Sequence, residues 1–226
     1  MGELNSTKPR LTPQEVPQFS QYAARSLNAM ALQSGTTVQD LIERFQKEPV
    51  TREAMRSRLE KIDDPEMLDM VMRQLRREVM TTLIVRDLTA HADFHEVVGT
   101  VTALAEETVS AAVRVHSRKL AQRFGVPVGV SGEPQDLLVV GMGKLGGEEL
   151  NVSSDIDLVF VYDEGGETQA IGEFASARRQ VTNHEFFDRL ARRVIASINE
   201  IDGTGFVFRV DMRLRPFGDS GPLVIS

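Results

Sequence analysis

The stretch Gly141-Met142-Gly143-Lys144-Leu145-Gly146-Gly147-Glu148-Glu149-Leu150-Asn151-Val152-Ser153-Ser154-Asp155-Ile156-Asp157-Leu158 decides how this chain is read. It follows Leu137-Leu138-Val139-Val140, which has the composition of a buried strand, and it runs into a second strand from Ile156 to Tyr162. Gly141 to Gly147 between them is a glycine-rich turn. Glycine tolerates positive φ and lets backbone N–H groups approach an anion closely, and Lys144 adds a point charge suited to phosphate. The Gly-Lys-Ser/Thr order of a Walker loop is missing, and spacing and context differ from the dinucleotide fingerprint. A tight strand-to-helix turn with no ligand accounts for the glycines equally well.

Asp155 and Asp157 are two residues apart at the head of the second strand. In a strand such residues point to the same face, roughly 6–7 Å apart. Like charges held that close are costly unless a cation lies between them. A lone Asp-x-Asp is ordinarily a turn or a solvated face. This one opens an apolar strand whose Ile156, Leu158 and Phe160 face a core, which points toward metal. Arg209-Val210-Asp211-Met212-Arg213-Leu214-Arg215-Pro216 supplies a third carboxylate near the end of a predicted strand, Phe206 to Met212. If that strand neighbours the second, Asp211 completes a three-carboxylate set. Such hard oxygen donors suit Mg²⁺ or Mn²⁺. Two ions about 4 Å apart can hold both the attacking and the leaving oxygen of a phosphoryl displacement. Arg213 and Arg215 are placed to pair with phosphate, or else to form ordinary surface salt bridges.

Outward from this centre, residues 126–136 read as a Gly/Pro-rich linker or hairpin, and 163–182 as a long polar loop with a short helix near 173–178. Asn183 is expected to cap a helix to about 199. Residues 202–205 form a turn and 223–225 a last strand. Upstream, helical periodicity predicts helices over about 13–32, 37–47, 51–61, 65–88 and 94–124, the last two packed antiparallel. His116 lies on an apolar stripe and is expected to be a satisfied core histidine. The expected class is α+β: an N-terminal helical bundle over 1–125, then a small mixed-sheet domain over 126–226.

The 226 residues are 41% hydrophobic and 26% charged, a soluble globular balance, and they include no cysteine, which excludes disulfides and thiolate chemistry. No apolar run is long enough to cross a bilayer, and the N-terminus is polar, so a cytoplasmic location without membrane attachment is expected. Net charge is −7. Residues 1–125 carry 17 Lys+Arg against 17 Asp+Glu and residues 126–226 carry 9 against 16, so the excess is wholly in the second half. That sign argues against non-specific nucleic-acid binding. The chain ends inside an apolar run, so a fragment of a longer protein, truncated within its last domain, is expected.

The glycine turn, Ser154, the paired aspartates and the distant third match the pattern of the DNA polymerase beta-like nucleotidyltransferase superfamily. GMGKLGGEELNVSSDIDLVFVY followed by GFVFRVDMRLRPFGDSGPL more closely resembles glutamine synthetase adenylyltransferase, in the form of its N-terminal, adenylyl-removing unit. The resemblance implies phosphorolysis: orthophosphate attacks the AMP phosphorus, a tyrosine of adenylylated glutamine synthetase leaves, and ADP is released. It implies Asp155, Asp157 and Asp211 as catalytic metal ligands for two Mg²⁺ or Mn²⁺ ions. It also implies Gly143, Lys144, Gly146, Gly147 and Ser154 as phosphate contacts. Partners implied are glutamine synthetase, phosphate, an adenine nucleotide and, through the full-length enzyme, the signal protein PII. Adenylyl transfer from ATP to glutamine synthetase or another acceptor, and a non-catalytic docking fragment, are the competing readings.

Overall fold

The computed structural model describes residues 11–203, 205–214 and 221–226. Side-chain caps set the helix starts of the first half. After a 3-10 turn at Pro13–Glu15 come α1 (Val16–Phe19), α2 (Gln21–Ser34), α3 (Val38–Lys47), α4 (Arg52–Leu59), α5 (Pro65–Leu88) and α6 (Phe94–Phe124). Thr37, Thr51, Asp64 and Asp93 each accept from the backbone amide three residues on, satisfying a donor the helix cannot. The single helix expected over 13–32 is instead broken at Ser20. Its extended backbone and its side chain, which accepts from the Ala23 amide, restart the helix.

A β-ribbon and a small sheet make up the second half. β1 (Val126–Gly129) pairs antiparallel with β4 (Gly166–Gln169), so the expected linker and polar loop join across forty residues. The sheet is built on β3 (Ile156–Val161). β2 (Leu138–Met142) runs antiparallel along one edge of it. β5 (Val210–Asp211) and β6 (Val224–Ile225) run parallel along the other, at its start and its end. One helical turn, α7 (Gly143–Gly146), follows β2, and α8 (Asn183–Asn199) is the crossover from β3 to β5. Thr182, not Asn183, caps α8, accepting from the Glu185 amide. Asn183 is fully buried and donates through Nδ2 to the carbonyls of Val128 and Glu164, tying the ribbon to the helix. The predicted helix at 173–178 is a 3-10 turn at Gly172–Phe174.

One apolar cluster crosses both halves. It runs from Met55, Leu75 and Leu104 through Phe187 and Val194 of α8 to Ile156, Leu158 and Phe160 of β3. A satellite cluster under α2 and α3 includes Leu27, Ile42 and Phe45. The helical layer is therefore one side of the sheet's core, and the fold is α+β. His116 is buried, but neither ring nitrogen meets a partner, so it is not the satisfied histidine expected. Burial first, and the Arg193 charge second, push its pKa down to about 4. Among the described residues, no helix is long and apolar enough to cross a membrane.

Candidate active site

β3 is the spine of the site. Ile156, Leu158 and Phe160 are essentially inaccessible, which turns the alternate residues Asp157, Val159 and Val161 to the opposite face. On the neighbouring β2 that same face carries Leu138, Val140 and Met142, which are 57%, 44% and 38% exposed. β2 was expected to be buried. It is an edge strand with one side against the helices and the other open, and its composition alone does not reveal this.

Asp157 lies in register between Met142 of β2 and Asp211 of β5. Two carboxylates on adjacent strands thus start about 5 Å apart at their backbones. The glycine turn packs against the first of them. Gly143 has φ +54°, and a Cβ there would come within 2.8 Å of Asp157 Oδ2. A Cβ on Gly146 would meet the Gly141 carbonyl at 2.6 Å. Only a side chain of hydrogen lets β2 turn this tightly beside an aspartate. Inside the turn the Gly147 amide donates to the Gly143 carbonyl at 3.0 Å, and the Glu149 amide donates to the Lys144 carbonyl at 2.8 Å. Lys144 is exposed. Ser154 accepts from the Asn151 amide at 3.2 Å and holds the turn that delivers Asp155.

Two arginines on the third-strand segment engage the outer carboxylates. Arg209 Nε donates to Asp155 Oδ1 at 2.5 Å, while the Arg209 carbonyl accepts from the Ile156 amide at 2.9 Å. Arg213 donates to Asp211 from its backbone amide and from its guanidinium. These bonds, the side-chain ones first, hold the Asp211 carboxyl below the usual carboxylate range. Asp211 raises the Arg213 guanidinium in turn, with smaller contributions from Asp157 and Asp155, so Arg213 lies in the field of all three carboxylates. Among the described residues, no three acidic or histidine side chains converge closely enough to share one ion. Asp155 is directed at Arg209 and Asp211 at Arg213. The donor set still fits a hard divalent cation in kind: carboxylate oxygens only, two of them in register beside a glycine. Arg215 lies outside the described residues.

The segment leading into β5 is clamped from the helical side. Arg73 on α5 meets Asp202 at 3.0 Å. The Arg76 guanidinium sits 4.6 Å over the Phe206 ring. The amides of Val207 and Phe208 both donate to the Ile198 carbonyl at 3.1 Å. Those bonds consume donors that a longer strand would have used, which is why the strand expected over 206–212 is reduced to Val210–Asp211. The sequence alone points to no role for Arg73, Arg76 or Arg209. A signal was present for Arg209: with Asp211 and Arg213 it alternates at period two, so charges of both signs share one face. Arg73 and Arg76 sit directly beside the apolar stripe residues Met72 and Leu75, a place where a cation needs a partner.

A cavity of about 800 Å³ opens on the other face of β2, between α6 and the glycine turn, over Val109, Val113, Val139, Leu145 and Leu158. β2 separates it from Asp157.

Comparison with known proteins gives concordant matches. The family described as glutamate-ammonia ligase adenylyltransferase matches residues 14–226. A Chromobacterium violaceum protein named bifunctional glutamine synthetase adenylyltransferase/adenylyl-removing enzyme is 48% identical over 210 residues, covering 92% of this chain and 22% of that protein. Proteins of the same name from Burkholderia mallei and Nitrosomonas eutropha are 45% identical over 215 residues and 46% over 217, with the same coverage. The chain spans about a fifth of the length of these relatives.

Proposed function

The chain belongs to the glutamate-ammonia ligase adenylyltransferase family, and from that premise we propose that its acidic site is a nucleotidyltransferase centre of the DNA polymerase beta-like kind. In this reading it removes AMP from the adenylylated tyrosine of glutamine synthetase by phosphorolysis. The observation that carries the reading is the register of Asp157 and Asp211 on adjoining strands, with Asp157 pressed against Gly143. Asp155, Asp157 and Asp211 would hold Mg²⁺ or Mn²⁺, which when bound neutralises charge on the transferring phosphoryl group. Lys144, Arg213 and Arg215 supply cationic contacts for the oxygens of orthophosphate and of the AMP phosphate. Gly143, Gly146 and Gly147 keep the turn free of side chains so that a phosphate can approach the backbone. Ser154 fixes the turn ahead of Asp155. Orthophosphate is already nucleophilic and a phenolate is a tolerable leaving group, so positioning and charge supply most of the rate and no dedicated base is required.

The relatives' shared name covers both adenylyl transfer and adenylyl removal. Removal is favoured here by the form of the Asn151–Asp157 and Arg209–Pro216 motifs. Transfer from ATP to glutamine synthetase makes the bond that removal breaks, but it releases pyrophosphate and is a separate reaction that the same kind of metal-carboxylate site would serve. Glutamine synthetase and the signal protein PII as partners, and a cytoplasmic location, belong to this proposal as well. The test is orthophosphate-dependent ADP release from adenylylated glutamine synthetase by the intact protein. Asp157→Asn is expected to reduce the rate about a hundredfold or more, since a metal ligand is worth several kcal/mol in the transition state. An unchanged rate contradicts the assignment. Release of pyrophosphate from ATP, without ADP formation from the modified substrate, favours the transfer direction.

A further inference from the structure

We propose that Arg213 and a divalent cation compete for Asp211, so that capture of the guanidinium by an oxyanion opens this carboxylate to the ion. The inference rests on reading Asp211 as an ion ligand, and it adds a coupling that the ligand set alone does not imply.

The two outer carboxylates differ in how their arginines hold them. Arg209 reaches Asp155 through one oxygen, Oδ1 at 2.5 Å, and the Asp155 side chain is 45% exposed. A cation can bind its other oxygen with the pair intact. Arg213 instead spans both oxygens of Asp211. Nε lies 3.0 Å from Oδ1 and 2.8 Å from Oδ2, and Nη2 lies 2.5 Å from Oδ2. Asp211 is itself only 17% exposed, so little of it remains open. A cation needs an oxygen at about 2 Å, in the region where the guanidinium N–H groups now point. Both cannot be accommodated.

Exchange is also mechanically simple. The Arg213 side chain is 80% exposed and can swing into solvent. Its backbone amide donates to Asp211 Oδ1 at 2.9 Å whatever the side chain does, so the carboxylate keeps its orientation while the guanidinium departs. A released Arg213 offers a planar fork suited to phosphate oxygens. An oxyanion that captures Arg213 therefore frees Asp211 for the cation. By reciprocity, a cation on Asp211 frees Arg213 for the oxyanion by the same factor.

The test is titration of the intact protein with Mn²⁺ alone, followed by the paramagnetic resonance signal of the free ion, in the absence of nucleotide and phosphate. Removing the competitor in Arg213→Gln is expected to tighten Mn²⁺ binding roughly three- to fivefold, the scale of an exposed ion pair. Arg213→Lys keeps the charge but engages the oxygens less completely, and it is expected to fall between Gln and the parent. Sulfate, a weak ligand for Mn²⁺, is expected to tighten binding in the parent and not in Arg213→Gln. Mn²⁺ affinity in Arg213→Gln equal to or weaker than the parent overturns the proposal. So does an Arg213→Lys protein indistinguishable from the parent, which would reduce the effect to net charge. Asp211→Asn is the control on the underlying reading. If it titrates like the parent, Asp211 is no ligand and the reading beneath the proposal fails instead.

Discussion

The helical layer and the acidic site are held by different means. α5 and α6 are long, capped at their first turns, and packed through residues such as Leu75, Val79, Leu104 and Ala112 that are wholly buried. Loss of any one contact there is shared among many neighbours. The site has no such redundancy. Asp211 stands on a two-residue strand, paired to β3 over only two positions, and its approach depends on Arg73, Arg76 and the Ile198 carbonyl. The molecule spends burial on the scaffold and leaves the site to a few specific polar contacts. Substitutions in the first region should therefore be read as stability, and in the second as function.

The largest stability effect is expected in the scaffold. Leu104 is fully buried in α6, and Leu104→Ala should cost about 3–4 kcal/mol through lost burial and a residual cavity. Urea denaturation measures it directly, and a cost under about 1 kcal/mol would show the helical layer to be loosely packed.

His116 comes next, and its effect depends on pH. The folded state holds this imidazole near pKa 4 against the ordinary 6.5, so the unfolded chain takes up the proton first. The burial cost is absent above about pH 6.5 and grows as pH falls from there toward 4. Over that window it reaches about 3 kcal/mol. Denaturation curves at several pH values should show His116→Leu losing less stability than the parent between pH 6.5 and 4. Parallel pH profiles for the two proteins would mean that His116 protonates freely in the fold.

Gly143→Ala is the smallest of the three in stability and sharpens the contrast most. The strain of a side chain at φ +54° costs on the order of 1 kcal/mol. Its Cβ nevertheless comes within 2.8 Å of Asp157 Oδ2, so under the proposed function ADP release is expected to drop at least tenfold while the melting temperature shifts by a few degrees. Activity and stability falling in step would remove the distinction between scaffold and site.

Legibility in the sequence followed the same division. The caps at Thr37, Asp64 and Asp93 are local signals, and the helices they open were expected nearly to the residue. Ser20 was missed because it caps as readily as it continues a helix, and only packing decides. The β1–β4 ribbon was invisible because its pairing joins residues about forty apart, with short polar partners such as Glu167 and Thr168. The shortness of β5 follows from competition for amides by the end of α8, which no local pattern encodes. The three aspartates and the glycine turn stood out from composition and spacing. Arg213 stood out as well, as a phosphate contact or a surface salt bridge, whereas Arg209, which holds Asp155, did not, since charge on a surface strand has many uses.

The central claim is that the carboxylates of β3 and β5 jointly bind a divalent cation beside the glycine turn. Crystals grown with Mn²⁺ and measured at its absorption edge test it most directly. The account predicts an anomalous peak about 2 Å from oxygens of both Asp157 and Asp211, close to Gly143. A peak ligated by neither residue, in crystals where the β3–β5 register is intact, would contradict it.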